Sequence, residues 1–135
     1  MPKDANTEIT IKGIPALTRW LRWEPQKADR AIKRASTNAG FFIQREARRN
    51  APFRRGDLER GITFEVIDGG VKIFVPINHA AGKYAYKMHY GKYNRGQGTV
   101  DKGSRAGRNY ITRVITGEAT RINSFFKDAV DRIGD

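Results

Sequence analysis

Apolar and polar positions along the chain change period several times, and each change marks an element. Residues 8 to 12, Glu-Ile-Thr-Ile-Lys, alternate and predict a short strand. Gly13 and Pro15 interrupt it before Leu17, Trp20 and Leu21 fall at helical spacing, which predicts a short helix. Pro25 suits the first turn of a second helix, where its missing N–H costs nothing. From there Ala28, Ala31, Ile32, Ala35, Ala39, Phe42, Ile43 and Ala47 trace one stripe, with Lys27, Arg30, Arg34, Gln44, Arg45 and Arg48 on the opposite face. This long helix should stop near Asn50, because the residue before Pro52 disfavours the α conformation.

Beyond a short loop containing Gly56, Ile62, Phe64 and Val66 alternate with polar residues, as do Val71, Ile73 and Val75 with Lys72 and Phe74 between them. Asp68-Gly69-Gly70 separates the two runs and supplies glycines for a tight reversal, so a β-hairpin is predicted. Residues 84 to 90 are aromatic on both faces and leave their period open between extended and helical. Residues 91 to 109 hold five glycines and five cations with almost no apolar side chain, a composition that predicts a basic loop ordered only by a partner. Asn109 is a candidate cap for a final helix whose stripe runs through Ile111, Val114, Ile115, Ala119, Ile122, Phe125, Phe126, Ala129, Val130 and Ile133. Gly117 lies inside it and costs about 1 kcal/mol relative to alanine, so a kink or a later start is expected there. The elements sum to one α+β domain, a small antiparallel sheet with a hairpin core packed against a long N-terminal-half helix and a C-terminal helix.

Charge changes this picture by its distribution. The net charge is +12, and residues 83 to 113 hold eight cationic side chains against the single carboxylate of Asp101. Such a patch attracts polyanions and equally suits an acidic protein neighbour. The absence of cysteine excludes disulfides, thiolate zinc sites and a cysteine nucleophile, and fits a reducing cytoplasm. The start of the sequence lacks a signal-peptide apolar core and no run approaches a membrane span, so a soluble, unprocessed protein with no membrane partner is expected.

Catalytic chemistry finds little support. His79 and His89 stand without cysteine or a His-Glu-x-x-His spacing, which argues against a metal; the plainer reading puts His79 in a polar loop and His89 among aromatics. Gly98 to Ser104 imitates phosphate-loop glycine spacing but lacks the Lys-Ser/Thr pair and a preceding strand. No catalytic set and no cofactor is therefore expected. Tyr84, Tyr86, Tyr90 and Tyr93 interleaved with cations could bind single-stranded nucleic acid, so a freestanding, non-specific nucleic-acid-binding protein is the alternative reading. Tyrosine and arginine are also enriched at protein interfaces, and no base-reading signature accompanies them.

Three motifs carry a resemblance. Gln44-Arg-Glu-Ala-Arg-Arg-Asn-Ala-Pro52-Phe-Arg-Arg-Gly56-Asp-Leu58-Glu-Arg-Gly-Ile62 places Ala51-Pro52, Gly56, Leu58 and Ile62 as in a helix-to-sheet signature, with Arg55 and Gly61 where threonine and serine are common. Tyr84-Ala85 through His89-Tyr90-Gly91 matches a second element, with Tyr90 in place of an acidic residue, and Asn109 to Val114 loosely matches a third. In this order they resemble the neck and tail-completion proteins of long-tailed bacteriophages, related to head-tail joining proteins, over roughly residues 9 to 133. The resemblance implies a non-enzymatic virion protein made in the host cytoplasm, with Pro52, Gly56, Leu58, Tyr84 and Gly91 as architectural positions. It implies a ring, a hexamer by family precedent, that joins the tail to the head connector. Its neighbours would be the connector and a tail-tube or terminator protein, with genomic DNA passing through the ring. Contacts would fall to Arg30, Arg34, Arg45, Lys92, Arg95, Lys102, Arg105 and Arg108.

Overall fold

The computed structural model describes residues 7–12, 23–53, 56–76, 78–82, 84–91, 93–103 and 106–133. Its elements run β1 (Glu8–Lys12), α1 (Pro25–Asn50), α2 (Asp57–Gly61), β2 (Thr63–Ile67), β3 (Gly70–Phe74), α3 (Ala85–Tyr90), α4 (Gln97–Lys102), α5 (Thr112–Gly117) and α6 (Ala119–Ile133). The fold is α+β, as expected. The short helix predicted around Leu17 to Leu21 lies outside the described residues.

The sheet is antiparallel in the order β1-β3-β2. The turn at Asp68-Gly69, with Gly69 at φ 75°, joins β2 to β3 and sets the pairing of Ile67 with Gly70. β1 returns to the other side of β3 with Ile9 opposite Ile73 and Ile11 opposite Val71. This register turns Ile9, Ile11, Phe64, Val71 and Ile73 toward the core. The opposite face carries Lys72 between Glu8 at 3.9 Å and Glu65 at 3.5 Å.

α1 is the element on which both the sheet and α6 pack. Its stripe is as read from the sequence, with Ala28, Ile32, Ala35, Ala39, Ile43 and Ala47 buried. The alanines permit the close approach that a 26-residue helix needs to contact two layers. Gly40 goes further: Phe64 of β2 lies over it so closely that a Cβ there would collide with the ring. Ala51 takes an extended conformation ahead of Pro52, ending α1 where the proline predicts.

Residues 85–90, whose period was open, form a helix with Ala85 and His89 on the buried side. The final helical region breaks at Glu118, directly after Gly117, into α5 and α6. Asn109 is not the cap. It stands in the left-handed region at φ 59°, its N–H donates to the His89 carbonyl at 2.7 Å, and α5 starts three residues later. The completely buried Tyr110 follows and donates from Oη to the Ala85 carbonyl at 2.9 Å, fastening α3 to the last helical region.

Candidate interaction surfaces

The positions expected to be architectural lie around the ends of α1, α2 and α3. Gly56 sits at φ 80° immediately before α2, a left-handed conformation that favours glycine. Leu58 is buried in the core and Pro52 is buried behind the end of α1. Gly91 closes α3 by donating its N–H to the Lys87 carbonyl at 2.7 Å, and a Cβ there would stand 2.6 Å from that oxygen. Tyr84 precedes α3 and is partly exposed.

Residues 91 to 109 depart from the expected structureless loop. They contain α4, and its attachment to the domain is polar. Thr99 Oγ1 accepts the Phe53 N–H at 2.9 Å, and Lys102 Nζ donates to the carbonyls of Arg48 at 2.8 Å and Ala51 at 2.6 Å. The same ammonium pairs with Glu59. Lys102 thus neutralises the negative end of α1, where carbonyls lack intrahelical partners, and joins it to α2. Arg95 donates to the carbonyls of Thr99 and Gly103 and shapes the turn after α4. Of the cations expected to reach a partner from this segment, Lys102 and Arg95 therefore have intramolecular duties. Arg108 is exposed. It borders a concavity with Arg95, Arg113 and Tyr93. Lys92 and Arg105 lie outside the described residues.

The other expected contact residues fall on the face where α1 meets α6. Arg30 and Arg34 line a groove there with Lys27, Arg132 and Asp128. Arg45 lines an adjoining groove of about 630 Å³ with Phe41, Phe42, Arg49, Arg121 and Phe125. Phe125, which the helical stripe assigns to the core, is only half buried and lies 5.9 Å from Phe42, centroid to centroid. Arg121 stands 5.8 Å from the Phe42 centroid and 5.6 Å from that of Phe125; Arg45 is 5.6 Å from Phe42. Arg45 and Arg49 share the buried Glu46 carboxylate at 3.4 and 3.3 Å. Phe41 is 60% exposed beside them. Periodicity missed Phe41, Arg49, Arg121 and Arg132 as surface candidates, although the spacing of Phe41 and Phe42 around the α1 stripe already placed one phenylalanine outside it.

The buried polar chemistry is structural. His89 is fully buried, edge-on to Tyr90 and Tyr110 at 4.2 and 4.8 Å between centroids. The Thr112 N–H donates to its Nε2 at 3.3 Å, a bond that the neutral ring accepts, while Nδ1 is buried with no hydrogen-bond partner among the described residues. Burial lowers its pKa to about 4. The same desolvation raises Tyr110 and Tyr93, opposed at Tyr93 by Arg108, Arg113 and Arg95. Among the described residues, no group of three His, Cys, Asp or Glu side chains is placed to hold a metal ion, and no helix is long and apolar enough to cross a membrane.

A long helix against a three-stranded sheet, a Pro-Gly joint leading into it and arginine-rich outer faces define a small architectural domain. Residues 16–109 match the family model described as "Bacteriophage HK97-gp10, putative tail-component". The chain belongs to this HK97-gp10-like family of bacteriophage tail components, which gives it a structural role in the virion. No curated protein and no solved structure matches it.

Proposed function

We propose that this tail component is a non-enzymatic subunit of a ring that completes the tail and joins it to the head connector. The observation that supports this best is the gathering of Arg30, Arg34, Arg45, Arg49, Arg121 and Arg132 along the single α1–α6 face. Closed rings of identical subunits use heterologous contacts, and repetition about an axis converts one basic face into a charged band. Such a band suits acidic connector and tail-tube or terminator neighbours, and its field favours the passage of DNA through the ring. Arg108 and the neighbouring basic residues of segment 91–109 then add contacts to the adjacent subunit or ring. The protein is made in the host cytoplasm before it joins the virion.

Native mass spectrometry of the protein released gently from purified tails tests the oligomer. A closed assembly of one stoichiometry, six by family resemblance, is the expected result. Release only as monomers on DNA fragments would favour the alternative of a non-specific nucleic-acid-binding protein.

A further inference from the structure

We propose that the groove around Phe41, Phe42 and Phe125 receives a carboxylate-rich segment with an apolar anchor, contributed by a virion polypeptide other than a second copy of this chain. The apolar centre comes first. Phe41 is 60% exposed, and Phe42 and Phe125 leave part of their rings open toward it. Arginines ring this centre: Arg45 and Arg121 lie over the phenyl faces, and Arg49 borders the groove. An aromatic centre with an arginine rim is the composition of a protein interface core, and arginine on an aromatic face is pre-organised to meet a carboxylate.

Charge decides the class of occupant. No carboxylate lines this groove among the described residues; Arg45 and Arg49 reach the buried Glu46 beside it, so two guanidinium groups meet one negative charge. Arg121 forms no ion pair with a described residue and stacks on the two rings. The basic character continues into the adjoining groove through Arg34, Arg30 and Lys27. From Lys27 to Arg49 the stripe covers roughly 33 Å of helix at 1.5 Å per residue, the reach of an extended peptide of about ten residues or of a helix.

This chain offers no matching surface of its own among the described residues. Asp29 pairs with Lys33, Asp57 with Arg60, and Glu8 and Glu65 with Lys72, while Glu24, Asp68, Asp101 and Glu118 are single carboxylates on separate parts of the chain and form no acidic segment. On α6, Asp128 and Asp131 alternate with Lys127 and Arg132. Duplex DNA fits less well, because a phosphate backbone against three phenyl rings would leave the apolar centre without a partner. A protein segment with both acidic and apolar side chains satisfies the two halves of the groove together.

Incorporating photoreactive p-benzoylphenylalanine in place of Phe41 tests the proposal in assembled particles. Irradiation should join residue 41 to a different virion polypeptide, within a segment where Asp and Glu outnumber Lys and Arg. The double variant Arg45→Glu, Arg121→Glu should lower that yield at least tenfold with its thermal midpoint within a few degrees of the parent. Arg45→Lys, Arg121→Lys should retain most of it. Cross-links to a second copy, to DNA or to a segment without acidic excess would overturn the proposal, as would no cross-link or a yield indifferent to charge reversal. The oligomeric state of the same preparations, read by sedimentation, reports on the ring separately, so either reading can fail without the other.

Discussion

The Lys102 ammonium lies 2.6 Å from the Ala51 carbonyl oxygen, so a cation from segment 91–109 closes the C-terminal end of α1, 51 residues earlier in sequence. Its further bonds to Arg48 and Glu59 make it a fastener between three elements. Charge-assisted bonds of this kind contribute about 1.5–3 kcal/mol. Lys102→Met should therefore destabilise the domain by about 2 kcal/mol and remove protection from the amides of α4. Arg108→Ser, at an exposed position, should stay within about 0.5 kcal/mol. Urea unfolding with hydrogen exchange distinguishes these outcomes, and equal effects of the two substitutions would show that Lys102 is not a fastener.

Gly40 and Phe64 provide a second test. Alanine is the better helix former by about 1 kcal/mol, so at an open helical position Gly→Ala stabilises. At Gly40 the new Cβ meets the Phe64 ring, and overpacking costs about 1–3 kcal/mol. Gly40→Ala should lower stability by about 1 kcal/mol in the parent and raise it in a Phe64→Ala background. A double-mutant cycle by chemical denaturation measures the reversal, and the same sign in both backgrounds would refute the close approach.

His89 predicts a pH dependence of stability. Its folded pKa of about 4 lies below the ordinary value of 6.5, so as pH falls the unfolded chain takes up the proton first. The stability from keeping the ring neutral is intact above pH 6.5 and is lost progressively down to about pH 4. Between pH 7 and 4.5 the loss from this group should be about 2.5 kcal/mol. His89→Gln should flatten that part of the profile, measured as the difference in urea midpoint between the two pH values. An unchanged slope would mean that His89 titrates normally.

On α6, two positions three residues apart should tolerate a new charge to different degrees. Ile122 is 3% exposed, and an aspartate there would bury an unpaired carboxylate. Ile122→Asp should cost several kcal/mol, on the order of the stability of a small domain. Phe125→Asp faces the arginine-lined groove, where the new carboxylate can meet Arg121, and should cost about 1–2 kcal/mol. Thermal midpoints of the two variants read this directly; similar losses would mean that Phe125 belongs to the core.

The legible parts of this fold are those in which one face of an element repeats a single type of contact. The α1 stripe, the alternation from Ile62 to Val75 and the turn at Gly69 satisfy that condition, and the structure has them where the pattern puts them. α4 does not: Thr99 is its one buried residue, and its order comes from Phe53, Ala51 and Glu59, far away in sequence. No local period can register bonds of that range. Phe125 is borne out in part: it packs partly buried against the core yet also borders the groove, since a stripe wide enough for one layer extends past the α1–α6 contact. Lys102 shows the same limit for charge: composition counts a cation but cannot tell a helix cap from a docking residue. Gly56 and Gly91 differ from these, because at φ 80° and against the Lys87 carbonyl the backbone itself, not a distant partner, selects glycine.

The central claim, that this tail component forms a ring at the junction of head and tail, is tested most directly by cryo-electron microscopy of the virion neck. Density for this α+β domain is expected, repeated around the tail axis between the head connector and the tail tube. Each copy should have its α1–α6 face against a neighbouring polypeptide and α4 docked on its own domain. Density for the domain elsewhere in the virion, as isolated copies without rotational symmetry, or its absence from complete particles would contradict the account.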